Sequence, residues 1–161
     1  NVWTVMQLRH NPELQKLKEE QPTGMGELTM KIHRGEFYNY SWKTDPEKSG
    51  GLLHNIGVHY FDLLAWIFGE PISSKIFTLE NRNAVGVLDF IDTSIKWHIS
   101  LDAPMDNQIR RLKIGDKTID LGRHFEDLHV KVYQDAKEGR GIKPAEAGRA
   151  LKLIEYIKQN E

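Results

Sequence analysis

Apolar residues follow two rhythms along the chain. Leu28, Met30 and Ile32 alternate with Thr29, Lys31 and His33, the period of a half-buried strand. Lys75 to Leu121 reads the same way: Ile95, Trp97, Ile99 and Leu101 alternate with Ser94, Lys96, His98 and Ser100. Asn81-Arg82-Asn83 and Gly115-Asp116 break this region as hairpin turns, predicting an antiparallel meander. Val2 to Met6 also looks strand-like, with Gln7, Arg9 and His10 at its end. A helical rhythm runs from Ser49, a capping residue, to about Phe68. Leu53, Ile56, Tyr60, Leu63, Leu64 and Ile67 form its buried stripe, and Gly69 and Pro71 stop it. Asn11-Pro12-Glu13 starts a short helix to about Glu20, with Asn11 as the cap. Phe125 to Glu138 is predicted helical, ended by Gly139. A last helix from Pro144 buries Ala147, Leu151, Ile154 and Ile157.

This order predicts an α+β fold: a mostly antiparallel open sheet, helices packed on one face, the other face free for subunit contact. The alternation of Ile, Trp and Leu predicts that a second subunit covers that face, making a homo-oligomer, a dimer or tetramer. The chain has 161 residues, read as a single domain. Such a length buries about 70% of its unfolded surface, enough for a core without staples. Hydrophobic residues at 39% and charged residues at 28% fit a globular domain. A net charge of −1 gives no field for nucleic acid, and no apolar run suits a membrane. With no cysteine there is no disulfide, thiolate site or cysteine nucleophile, and a cytoplasmic location fits. The opening at Asn1, without Met, reads as a piece of a longer chain.

The chemistry concentrates between Ser49 and Asp62. Asn55 and His59, one helical turn apart, share a face. Asp62 lies one turn further and is placed to hydrogen-bond the His59 ring. Polar groups beside an apolar stripe read either as a site wall, with His59 on a substrate hydroxyl and Asn55 orienting it, or as a core histidine satisfied by Asp62. Gly50-Gly51 at a helix start offers backbone N–H groups to an anion or sugar oxygen, with Lys43 and Lys48 in the same loop. Arg9 suits a carboxylate or phosphate held bidentately, or a surface ion pair. Phe37, Tyr38, Tyr40 and Trp42 are aromatic candidates for stacking on a ligand or for sheet packing. His54, His98, His124 and His129 lack metal-ligand spacing. No G-x-G-x-x-G or phosphate-binding loop is present.

The run Ser49-Gly50-Gly51, Asn55-x-x-x-His59, Phe61-Asp62-Leu63-Leu64 and Gly69-Glu70-Pro71 resembles the second domain of the Gfo/Idh/MocA oxidoreductase family. Gln7-x-Arg9 with Asn11-Pro12 resembles its entry, and Ile142 to Ile157 its final helix. Phe37-Tyr38, Ser41-Trp42-Lys43 and Asp45-x-x-Lys48-Ser49-Gly50-Gly51 resemble the branch that oxidises UDP-N-acetyl-glucosaminuronic acid at C3. The resemblance implies a sugar dehydrogenase of nucleotide-sugar and lipopolysaccharide biosynthesis. NAD or NADP would be bound mainly by an N-terminal Rossmann domain absent from this chain, leaving the fragment inactive alone. It implies His59 and Asn55 as catalytic residues. Arg9, Trp42, Lys43, Lys48, Ser49, Gly50 and Gly51 would bind substrate, Asp62 would orient, and no metal would take part. Many family members carry Asp where this chain has Asn55; an amide cannot titrate, so orientation is its expected role. Two other readings stay open: a non-catalytic assembly module, and an in-family dehydrogenase of a free sugar or polyol.

Overall fold

The computed structural model describes residues 1–123 and 125–159, with backbone alone at 125 and 126. His124, set aside above as a metal ligand, lies outside them. The chain opens not as a strand but with a single antiparallel bridge, Thr4 to Ile142, and a 3₁₀ turn, Gln7–His10. Leu8 buries at that turn. Helix α1 (Pro12–Glu19) follows, capped as expected: Asn11 accepts from the Glu13 and Leu14 amides. Strand β1 (Gly24–Lys31) leads to a short helix α2 (Glu36–Asn39), a 3₁₀ turn (Trp42–Thr44) and a short helix α3 (Pro46–Ser49). A π-helical turn (Leu53–Gly57) then runs into α4 (Val58–Phe68). Strands β2 (Ser73–Leu79), β3 (Asn83–Asp89), β4 (Thr93–Ser100), β5 (Ile109–Ile114) and β6 (Lys117–Asp120) precede α5 (Phe125–Lys137) and α6 (Pro144–Gln159).

The six strands form one sheet in the order β2-β3-β4-β1-β5-β6. Every neighbouring pair is antiparallel except β1–β4, which is parallel. The meander is thus split: β1, made early, enters between β4 and β5, and its inward residues Leu28 and Met30 are fully buried. Among the described residues no helix is long and apolar enough to cross a membrane.

The apolar face of the sheet is covered by the chain itself, which corrects the expectation that a second subunit covers it. Trp97 meets Phe61 of α4 edge-on, with ring centroids 5.3 Å apart at 87°. Ile95, Ile99 and Leu101 are buried in the same core. The opposite face is mixed: Lys96, His98, Glu27 and Arg111, the last two 3.5 Å apart, share it with Met25, Val85, Val87 and Ile109. Strand alternation puts successive side chains on opposite faces, so one apolar set could meet only one partner, and α4 takes it.

The Trp97 indole needs a gap opposite it. Its cross-strand partner is Gly86, where a Cβ would stand 2.4 Å from Trp97 Cζ2. Gly86→Ala is therefore expected to destabilise the chain by about 1–3 kcal/mol, the usual cost of overpacking a core. Urea unfolding followed by tryptophan fluorescence measures it, and an unshifted midpoint would count against this packing.

Candidate active site

The chain reaches the site through a tight double turn. Asp45 caps α3 by accepting from the Glu47 amide. Gly50 and Gly51 then take left-handed φ of 74° and 80°, a region costly for other residues. Ser49 Oγ donates to the Asp45 carbonyl and accepts from the Gly51 amide, so the seryl cap serves this turn. His54 is spent on anchoring: Nδ1 bonds to the Gly50 carbonyl at 2.9 Å and Nε2 to Glu155 at 3.0 Å. The helix predicted from Ser49 is thus a turn, a π-helical segment and α4. π-Helical turns recur at functional sites because they shift the side chains on either side.

Asn55 and His59 do share a face, and both line a cavity of about 500 Å³. Asn55 Nδ2 donates to Tyr38 Oη at 2.8 Å and, more weakly, to the Lys43 carbonyl at 3.5 Å. The amide therefore ties the segment before α3 to the helix. His59 is half-buried, and its Nδ1 is sealed with no hydrogen-bond partner. Burial holds its pKa below the ordinary histidine value. Asp62 pulls it up and His129 pushes it further down. The ring is thus neutral near pH 7, able to accept a proton.

Asp62 does not hydrogen-bond His59. Both its oxygens face Arg9, which donates from Nε at 2.8 Å and from Nη2 at 2.5 Å. The planar guanidinium matches a carboxylate in this two-point geometry, which a single imidazole N–H does not. Asp62 is 1% exposed, and burial pushes its carboxyl above the ordinary value while Arg9 pulls it back. The fork geometry is that of an ionised pair. Arg9 also lies 3.7 Å from Glu146, so it is committed to internal carboxylates and does not line the cavity. That corrects both its expected role as a substrate ligand and the expected Asp62–His59 bond.

Of the other expected ligands, only Lys43 reaches the cavity. Lys48 points outward and pairs with Asp45 at 2.9 Å. Trp42 is exposed, and Ser49, Gly50 and Gly51 form the turn behind the wall. Sequence reasoning missed Gln7, Arg34, Tyr60, Arg110 and His129 as site residues; they line the cavity together with Val5, Leu8, Ile32 and Ile56. Burial drives the Tyr60 hydroxyl up to about 12, with Arg110 and Arg34 pulling the other way. Arg34, Lys43 and Arg110 have no carboxylate partner among the described residues. No group of three or more His, Asp or Glu side chains among those residues is placed to hold a metal.

A family model described as the GFO/IDH/MocA C-terminal domain matches residues 25–98, the segment that contains Lys43, Asn55 and His59. The chain is similar to the WlbA (WbpB) dehydrogenase from Thermus thermophilus in complex with NAD and α-ketoglutarate. Identity is 33% and the TM-score 0.89, over 99% of this chain and 56% of that one. The Thermus thermophilus dehydrogenase in complex with NAD and UDP-GlcNAcA gives 32% and 0.86, over 99% of this chain and 55% of that one. The WlbA dehydrogenase from Bordetella pertussis, in complex with NADH and UDP-GlcNAcA, shares the fold at 20% identity. Its TM-score is 0.77 over 99% of this chain and 60% of that one. The chain spans little more than half the length of the solved structures it matches.

Proposed function

The chain belongs to the GFO/IDH/MocA family as a C-terminal domain, and on that premise we propose that it is the substrate-binding half of an NAD(P)-dependent oxidoreductase. Its substrate is an anionic nucleotide sugar, a UDP-N-acetylhexosaminuronate oxidised at C3. The observation that carries this reading is the trio Arg34, Lys43 and Arg110, cations with no carboxylate partner among the described residues, around the cavity that also holds His59. Three such charges facing one space favour a ligand with a carboxylate or diphosphate. The ligand of the Thermus thermophilus relative, UDP-GlcNAcA, is of that kind.

The cavity's volume of about 500 Å³ suits a sugar-sized group, not a dinucleotide beside it. The sequence also lacks a glycine-rich dinucleotide loop. The residues present therefore fit the substrate, and a separate Rossmann half is where we assign the nicotinamide that takes the hydride. This chain's own share is binding and proton handling. Its cations hold the anion, Asn55 fixes the loop that carries Lys43, and neutral His59 accepts the proton of the reacting hydroxyl through Nε2. On this reading the fragment turns over nothing alone. Subunit contact in a homo-oligomer falls to the opposite sheet face, where Val85 and Val87 stand beside His98 and Lys96.

Kinetics of the enzyme joined to its nucleotide-binding half, with UDP-GlcNAcA and NAD, test this. Arg110→Ala removes a charged hydrogen-bond donor, each such bond being worth about 1.5–3 kcal/mol. KM is expected to rise at least about tenfold, with kcat less affected. Unchanged KM in both Arg110→Ala and Lys43→Ala would point instead to an uncharged sugar or polyol.

A further inference from the structure

Two buried atoms in this wall have no partner, and their chemistries are complementary. Gln7 is 3% exposed, and its Oε1, an acceptor, is sealed from solvent with nothing donating to it. His59 Nδ1 is sealed in the same way, and in a neutral imidazole it can carry the ring proton and donate it. Leaving either alone is unfavourable, and an orphaned buried polar group calls for an explanation. The two residues line the same cavity. They also lie on touching elements in a fixed register. Arg9 grips Asp62, Gln7 stands two residues before Arg9, and His59 stands one helical turn before Asp62.

We propose that Gln7 is a positioning residue for His59: with a turn of its side chain toward the ring, its Oε1 accepts a hydrogen bond from Nδ1–H, a contact the two atoms do not make in this structure, and so fixes the tautomer that leaves Nε2 free. Imidazoles that work through one nitrogen are commonly set by an acceptor on the other. The expected acceptor, Asp62, has both oxygens on Arg9, so it acts on the ring through charge alone. A carboxamide differs from a carboxylate in one useful respect. It holds the proton without adding a negative charge that would favour imidazolium. The charged and titratable groups around the ring are Asp62 on its own helix, Arg9 on the preceding turn and His129 on α5. Lys43, Arg34, Arg110 and Tyr60 also line the cavity.

The catalytic consequence rests on His59 being the proton acceptor; the tautomer itself does not. The test is therefore spectroscopic first. Nitrogen-15 correlation spectra of the histidine side chains, recorded on the chain above the histidine titration range, read the tautomer directly. The wild type is expected to carry the proton on Nδ1, and Gln7→Leu to move it to Nε2 or to a mixture. Gln7→Glu, which can only accept, is expected to keep the wild-type tautomer and raise the His59 titration midpoint. A proton on Nε2 in the wild type, or an unchanged tautomer in Gln7→Leu, overturns the proposal. If Gln7→Leu does not fold, Gln7→Glu decides alone, and an unmoved midpoint overturns it. In the assembled enzyme Gln7→Leu is expected to lower kcat by about 10–100-fold, the size of effect found when a metal-bound histidine loses its outer hydrogen-bond partner. The expected tautomer shift with unaltered kcat would leave the Gln7 assignment standing and remove the catalytic reading of His59.

Discussion

In the assembled oxidoreductase, His59→Ala is expected to lower kcat by about 10²–10⁴-fold, the usual contribution of a well-placed proton-transfer group. The reason is that its neighbours in the same helical segment, Tyr60 and Asn55, cannot take up the proton. Tyr60, its neighbour, is driven to about 12 and holds its proton throughout the working range. Asn55 cannot titrate, and its Nδ2 is engaged by Tyr38 and the Lys43 carbonyl. His59 is kept neutral chiefly by burial, so below its lowered pKa the base is lost. The acid limb of kcat/KM is expected below the ordinary histidine value of about 6.5, and it should vanish in the alanine variant. Stability has the same sign. The unfolded ring takes a proton near 6.5 and the folded ring only below that. The contribution is therefore complete above about 6.5 and is lost as pH falls towards the folded value. Steady-state rates against pH, with folding checked by circular dichroism, decide the matter. A variant with wild-type kcat and an unaltered profile would make this domain an assembly module.

Where one face of an element decides its placement, the sequence alone was enough to read it. The alternation through Ile95, Trp97 and Ile99 and the stripe through Leu63 and Leu64 mark residues that are all fully buried. Asn55 and His59 line one cavity, as their four-residue spacing suggests, although Asn55 lies in a π-helical turn that the 3.6-residue period does not announce. What failed depends on who meets whom. Alternation reports that a sheet face is apolar but not whether a helix or a subunit covers it, hence the error over Trp97. Parity could have found Arg110. It shares the inward register of Leu112 and Ile114 on β5 and sits opposite Met30, so an arginine there must reach a cavity or a partner. Gln7 and Arg34 carried no such signal, because irregular backbone has no period. The commitment of Arg9 to Asp62 spans 53 residues, and no local pattern announces it.

Cutting that pair from the arginine side is expected to be the more damaging of its two truncations. Arg9→Ala leaves Asp62, 1% exposed, as an uncompensated charge, and breaking a buried pair in this way costs about 3–5 kcal/mol. Asp62→Asn removes the other charge, but the Arg9 side chain remains 11% exposed and 3.7 Å from Glu146. Its loss should be smaller, about 1–3 kcal/mol, as for a hydrogen-bond partner removed from a charged group. The asymmetry has a pH signature. Burial already raises the Asp62 carboxyl and Arg9 opposes that rise, so without Arg9 the carboxyl rises further. A folded-state pKa above the unfolded value means the native state binds the proton more tightly. Stability is then gained as pH falls through the folded value, and the Arg9→Ala deficit should narrow in mild acid. The liberated carboxylate also lies one turn from His59, whose pKa it raises, so the acid limb of activity should move upward. Urea unfolding of both variants at neutral and mildly acidic pH measures the difference. Equal, pH-independent losses below about 1 kcal/mol would mean that the pair behaves as a solvated surface bridge and does not lock the entry segment to α4.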